Sequence, residues 1–111
     1  MGYNQAMSDE YQIEIPPSFY AIYSDERQRL GAPLSTVRAQ YEVCEDLANH
    51  LSEHCLEVHR DIGVPTDDVL ERCHLGLCEP ASGVSVAEAG WVVTRLAELL
   101  GWPPLLLDKD L

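Results

Sequence analysis

The pentapeptide His50-Leu51-Ser52-Glu53-His54 is the stretch of this chain that most resembles a reactive site. It matches the HxxEH pattern of inverted zinc peptidases. In that chemistry two histidines bind zinc from one face of a helix, and the glutamate between them polarises a water. Such peptidases add a distant glutamate as third ligand within a much larger fold, and a chain of 111 residues offers no evident substrate cleft. We therefore interpret the peptidase match as a chance one and keep His50 and His54 as candidate metal ligands.

A non-catalytic metal site is the alternative that these two histidines leave open. Asp46, Glu57 and Asp61 follow the same flank of the helix predicted here. Carboxylates from a second helix would complete a site, as in carboxylate-bridged bundles. Those bundles use Glu-x-x-His pairs on two helices, whereas this chain has a single stretch of the kind. A solvated polar flank with i,i+4 pairs explains the same residues.

Motifs of nucleotide-binding and nucleophilic enzymes are missing from the sequence. A P-loop needs glycines that let backbone N–H groups surround phosphates, followed by a lysine. None of the seven glycines precedes a lysine, and the single lysine is Lys109. The stretch from Gly83 to Ala87 fails the GxSxG pattern at its last residue. The sequence thus favours a non-enzymatic protein, and we predict no cofactor.

One long helix, from Ser35 to Ile62, organises the predicted fold. An apolar stripe repeats along it at alternating spacings of four and three: Val37, Tyr41, Cys44, Ala48, Leu51, Cys55, Val58 and Ile62. Ser35 is a candidate N-cap, and Gly63 can end the helix in a left-handed conformation. Such a helix would be roughly 40 Å long. It should therefore run the full length of the molecule, kink, or extend into a dimer.

Three further helices are predicted around it. The first runs from a Ser18 cap to about Leu30. The third begins with a Thr66 cap and has an inward set of Val69, Leu70, Cys73 and Leu77. Ser85 followed by Glu88 is a capping box that starts the fourth, which Gly101 ends. Its apolar face is Val86, Ala89, Val93, Leu96 and Leu100. The row of small residues Ala87, Gly90, Thr94 and Ala97 should let the long helix approach closely. We predict an all-α, four-helix bundle-like domain over residues 16–111, preceded by a flexible arm over 1–15.

The composition of the chain limits the classes of partner that it can bind. The formal net charge of −12 would repel phosphate backbones and anionic membranes, so we expect no nucleic acid and no membrane as partners. The acidic surface serves solubility, or meets a basic protein partner, or mimics nucleic acid. The first residues lack the features of a secretory signal, and no apolar run could span a bilayer. We expect a cytoplasmic protein whose four cysteines are reduced, buried small hydrophobes.

Three stretches resemble a group of small, uncharacterised, acidic helical proteins from proteobacteria, some of which carry the label "ATPase with chaperone activity". They are IPPSFYAIY (15–23), YEVCEDLANHL (41–51) and GVSVAEAGWVVTRLAELLGW (83–102). The resemblance implies a bacterial cytoplasmic helical protein. ATP hydrolysis is not expected, because the residues supply no phosphate cradle.

The role predicted from all of this is protein interaction. Leu105, Leu106 and Leu107 follow a Pro-Pro stop, and no amphipathic pattern explains them. They either pack back over the bundle or form an interface with another protein or a second copy of the chain. We predict a non-enzymatic interaction or adaptor protein, chaperone-like, whose partner is another protein or a second copy of the chain in a homodimer. The alternative is a small metal-binding or catalytic domain using His50 and His54.

Overall fold

The computed structural model of the chain describes residues 15–25, 27 and 29–105, and within them the fold is all-α with one long helix, as predicted. The α-helices are α1 (Pro17–Tyr23), α2 (Leu34–Glu57), α3 (Thr66–Leu77) and α4 (Val86–Leu100). A π-turn (Val58–Ile62) continues α2, and a short 3-10 turn (Pro80–Ser82) precedes α4.

The long helix is the spine of the molecule. With its π-turn it contains 29 residues, which is about 43 Å at about 1.5 Å per residue. The molecule measures 54 × 31 × 25 Å, so a rod of that length fits only near the longest axis. Helix α4 packs along α2, while α1 and α3 pack against α4. This confirms the first of the three arrangements expected for the long helix.

The core lies between α2 and α4 and is closed at its two ends by α1 and α3. Its buried apolar residues are Ile15, Phe19, Val37, Cys44, Ala48, Cys55, Val69, Leu70, Leu77, Ala89, Val92, Val93, Leu96 and Ala97. Ile15, which the sequence assigns to the N-terminal arm, belongs to this core. The rest of that predicted arm, residues 1–14, lies outside the described residues.

The apolar stripe of α2 faces the core for most of its length. Its members are buried or half-buried as far as Val58, but Ile62 at the end of the stripe is 72% exposed. A π-turn holds more residues per turn than an α-helix, so the fourth residue after Val58 no longer returns to the same face. Gly63 then ends the turn at φ 84°, in the left-handed conformation expected of it.

The first helix is shorter than predicted. It ends at Tyr23 rather than near Leu30, because Asp25 offers its carboxylate to the backbone instead of continuing the helix. Its Oδ1 accepts hydrogen bonds from the backbone N–H groups of Arg27 (2.8 Å) and Arg29 (2.9 Å). The Gly31 N–H then donates to the Tyr23 carbonyl oxygen at 2.7 Å, so the chain doubles back towards α2.

One of the four predicted N-caps is confirmed, and the other three are wrong. Ser85 and Glu88 form the predicted capping box at α4. By contrast, the N-caps of α1, α2 and α3 are Pro16, Pro33 and Pro65, and none of these three helices has a side-chain cap. Ser18, Ser35 and Thr66 therefore lie inside helices, since a proline can occupy the start, where backbone N–H groups have no helical partner anyway.

The row of small residues on α4 is not buried along its whole length, as the predicted close approach of α2 requires: of its four members only Ala97 lies in the core. Ala87 and Thr94 are exposed, and they line a groove beside α1 together with Gly90. The larger Val92 and Leu96 are fully buried instead, because burying a larger apolar side chain gains more free energy. Val86, predicted to be inward, is 66% exposed at the first helical position.

Candidate functional site

Four side chains at spacings of four, three and four follow one side of α2: Val43, Leu47, His50 and His54. We call them the outer flank. Val43 is 44% exposed, Leu47 is half-buried, and both histidines are exposed. Val43, Leu47 and His50 line one shallow groove, and His50 and His54 line the next. The outer flank is therefore a continuous surface that runs from apolar to polar along the helix.

The two predicted metal ligands lie together on this flank. The helix alone arranges this, since residues four apart share a face. Within the described ranges, no cluster of three or more His, Cys, Asp or Glu side chains is placed to hold a metal ion. The structure thus provides two imidazoles on an exposed side of α2. A metal site at His50 and His54 stays a prediction.

Acidic side chains border the outer flank. Asp46 and Glu53 line the groove beside Val43, and Glu53 and Glu57 line the groove beside His54, where Arg60 also lies. The opposite side of α2 is occupied differently. There Glu45 accepts hydrogen bonds from Nε (3.0 Å) and Nη2 (2.9 Å) of Arg95 on α4. This pair lowers the pKa of Glu45, chiefly through those hydrogen bonds, and fixes α4 against α2.

A pair of thiols that the sequence did not reveal lies between α2 and α3. Cys55 Sγ and Cys73 Sγ are 3.3 Å apart. Cys55 is fully buried, whereas Cys73 is half-buried. Cys78 is half-buried too, with its Sγ 3.6 Å from His74 Nε2. The expectation that all four cysteines are buried is therefore wrong for Cys73, within α3, and for Cys78, its C-cap, which are half-buried against the core.

A buried carboxylate joins three helices. Glu88 is 4% exposed and completes the capping box by accepting from the Ser85 N–H at 2.8 Å. Its Oε2 also accepts from the Tyr23 hydroxyl on α1 and, at 3.2 Å, from Gln40 Nε2 on α2. Burial raises the pKa of Glu88, but these hydrogen bonds outweigh burial and leave the pKa below its ordinary value. The sequence predicted the capping box but not the other two donors.

The predicted interface at the C-terminal tail is described only at its first residue. Leu105 is half-buried and packs against the core, as does Trp102. The indole of Trp102 meets the ring of His59 edge-on, with ring centroids 5.2 Å apart. Leu106 and Leu107 lie outside the described residues, so the interface formed by all three leucines stays a prediction.

None of the described helices is long and apolar enough to cross a bilayer. The chain matches no protein-family model, no curated protein and no solved structure. The resemblance to small proteobacterial proteins therefore rests on the three sequence stretches alone.

Proposed function

We propose that this chain is a non-enzymatic, cytoplasmic interaction or adaptor protein that binds a basic, amphipathic helix of a partner protein along the outer flank. The observation that carries the proposal is Val43. A valine that is 44% exposed lies beside the half-buried Leu47 in the middle of an otherwise polar helix surface. An amphipathic helix can cover such a strip with its own apolar face.

Charge supports a basic partner over a second copy of the chain. Asp46 and Glu53 edge the groove at Val43, and the chain as a whole carries a net charge of −12. Two copies meeting at this flank would bring like charges together, whereas lysines or arginines of a partner would pair with them. The cytoplasmic setting suits the four cysteines, which are free thiols.

Synthetic peptides test the proposal directly. Two helical peptides share one apolar face, but one carries lysines and the other glutamates on its polar face. We expect the basic peptide alone to bind isotope-labelled protein, with amide shifts concentrated from Val43 to His54. Binding should weaken with added salt, because exposed charges are screened.

Two substitutions of the same kind locate the surface. Val43→Asp should weaken binding of the basic peptide, whereas Val86→Asp should not, although Val86 is the more exposed of the two at 66% against 44%. Equal loss in both variants, or shifts that map to another helix, would overturn the outer flank as the docking surface. A rise in mass with protein concentration in light scattering, lost in Val43→Asp, would show a second copy there instead.

A further inference from the structure

We infer that Cys55 and Cys73 form a redox-active dithiol that closes reversibly to a disulfide between α2 and α3. The sulfurs are 3.3 Å apart and belong to residues 18 apart in sequence. A disulfide bond is about 2.05 Å long, so each sulfur need move only about 0.6 Å. Both residues lie within helices, Cys55 near the end of α2 and Cys73 in α3, so the approach does not depend on a mobile loop.

The two thiols differ in the way a reactive pair requires. Cys73 is half-buried and can be reached from solvent, whereas Cys55 is fully buried behind it. A hydrogen bond from the Cys55 thiol lowers the pKa of Cys73. The same hydrogen bond, together with burial, raises the pKa of Cys55. Cys73 is therefore the sulfur that attacks an oxidant, since the thiolate is the nucleophile, and Cys55 is the sulfur that resolves the product.

Hydrogen peroxide is the oxidant in the proposed reaction. The Cys73 thiolate attacks one peroxide oxygen, the O–O bond breaks, and the hydroxide released takes up the proton that Cys73 has lost. Cys55 then attacks the sulfur of the Cys73 sulfenic acid, the S–O bond breaks, and a second water leaves with the Cys55 proton. Two thiols thus lose two electrons and two protons, and the peroxide becomes two waters. Two molecules of a thiol reductant such as glutathione reopen the disulfide. The first attacks the accessible Cys73 sulfur and releases Cys55 as a thiol. The second attacks the glutathione sulfur of the mixed disulfide, so that Cys73 leaves as a thiol and oxidised glutathione forms.

Closure would clamp the end of the long helix. The residues between the two sulfurs include the whole π-turn and the turn at Gly63. In the reduced state the hairpin is held by packing and by the hydrogen bond between His59 Nδ1 and the Val64 carbonyl oxygen at 2.8 Å. A covalent link between α2 and α3 would restrict that hairpin further. Reversible disulfides in a reducing compartment are characteristically sensors or catalysts.

The experiment treats the folded, full-length protein with hydrogen peroxide and counts free thiols after denaturation. We expect two of the four cysteines to be lost together, a monomeric product, and a single peptide cross-link between Cys55 and Cys73 by mass spectrometry. The melting temperature should rise on oxidation and return with dithiothreitol. No cross-link, or one that involves Cys78 or Cys44, would overturn the inference.

Single variants separate the roles of the two sulfurs. Cys55→Ser should leave a Cys73 sulfenic acid that a dimedone probe traps, and Cys73→Ser should abolish both cross-link and trapping. Cys44→Ser and Cys78→Ser are the matched controls and should oxidise like the wild type. Cys44 lies on the same helix as Cys55, where burial and the Glu88 charge raise its pKa to about 12. Dimedone labelling at Cys55 in the Cys73→Ser variant would show that Cys55 attacks the oxidant, and would overturn the roles assigned to the two sulfurs.

Discussion

The Tyr23 hydroxyl donates a hydrogen bond to the buried Glu88 carboxylate, 65 residues further along the chain. The contact joins the end of α1 to the start of α4, and Gln40 of α2 donates to the same carboxylate oxygen. Burial and this hydrogen bond raise the pKa of Tyr23, so the hydroxyl stays protonated as a donor. One side chain at the first turn of α4 thus sets the relative positions of three helices.

Removing the Glu88 carboxylate should destabilise the fold more than removing any one of its donors. Glu88→Ala leaves the Tyr23 hydroxyl, Gln40 and the Ser85 N–H without their acceptor, and we expect a loss of about 3 kcal/mol in the free energy of unfolding. Tyr23→Phe removes one donor and should cost about 1 kcal/mol. Urea denaturation measures both, and a smaller loss in Glu88→Ala than in Tyr23→Phe would contradict the shared-acceptor arrangement.

The capping box predicts a contrast between two serines. Ser85→Ala should cost about 1 kcal/mol, because the Glu88 N–H loses its 3.0 Å acceptor at Ser85 Oγ. Ser35→Ala should cost little or even stabilise α2, since Ser35 makes no cap and alanine is the better helix former. Thermal melts of the two variants check this. An equal loss in both would mean that Ser35 acts as a cap after all.

Acid should weaken the fold through Glu45 and Glu88. Both have a pKa that is lowered in the folded state, so the unfolded chain takes up protons first as the pH falls. Their stabilisation is complete above the ordinary glutamate pKa of about 4.3 and is lost as the pH drops through their lowered values. The urea concentration at the midpoint of unfolding should therefore decrease as the pH is lowered below about 4.3. Glu45→Gln should flatten that fall, whereas Glu42→Gln, at an exposed position of α2, should not.

Sequence patterns predicted what depends on neighbours along the chain. The capping box at Ser85 and the left-handed end at Gly63 are local features, and the structure has both. The apolar spacing predicted which face of α3 is buried, and Val69, Leu70 and Leu77 are buried there. These features depend only on helical periodicity and backbone sterics, so they can be predicted from residues that are close together in the sequence.

Helical periodicity and backbone sterics could not predict which residues of different helices would be in contact. The thiols of Cys55 and Cys73 meet because two helices pack at a particular register, and nothing in the spacing of 18 residues specifies it. Tyr23 and Glu88 meet for the same reason. The early end of α1 is a different failure, since Asp25 competes locally for the backbone N–H groups that a longer helix would use.

A metal at the outer flank can be tested separately from a peptide partner. If Zn²⁺ binds, His50→Ala and His54→Ala should each abolish binding, whereas Cys44→Ser and Val43→Asp should leave it intact. Two imidazoles are fewer protein ligands than zinc sites ordinarily have, so we expect weak binding that a chelator removes easily. Calorimetric titration of the metal-free protein measures it. Equal loss in Cys44→Ser would move the site into the core and contradict the flank assignment.

The C-terminal tail either packs back onto the core of its own chain or forms an interface with another protein or a second copy. Leu105 is half-buried against the core, and burying a whole leucine is worth about 2 kcal/mol. Leu105→Ala should therefore lower the free energy of unfolding by about 1 kcal/mol. Leu75→Ala is the control: Leu75 is 63% exposed on α3 and its loss should stay within about 0.5 kcal/mol.

Deleting residues 105–111 extends the test to the whole predicted interface. On the fold-back arrangement the truncated protein melts at a lower temperature and keeps its mass in light scattering, because the leucines served the core of their own chain. On the interface arrangement the truncated protein keeps its melting temperature, and its apparent mass drops or partner binding is lost. The half-burial of Leu105 beside Trp102 leads us to expect the lower melting temperature. An unchanged melting transition together with a smaller mass would contradict that expectation and assign the tail to self-association.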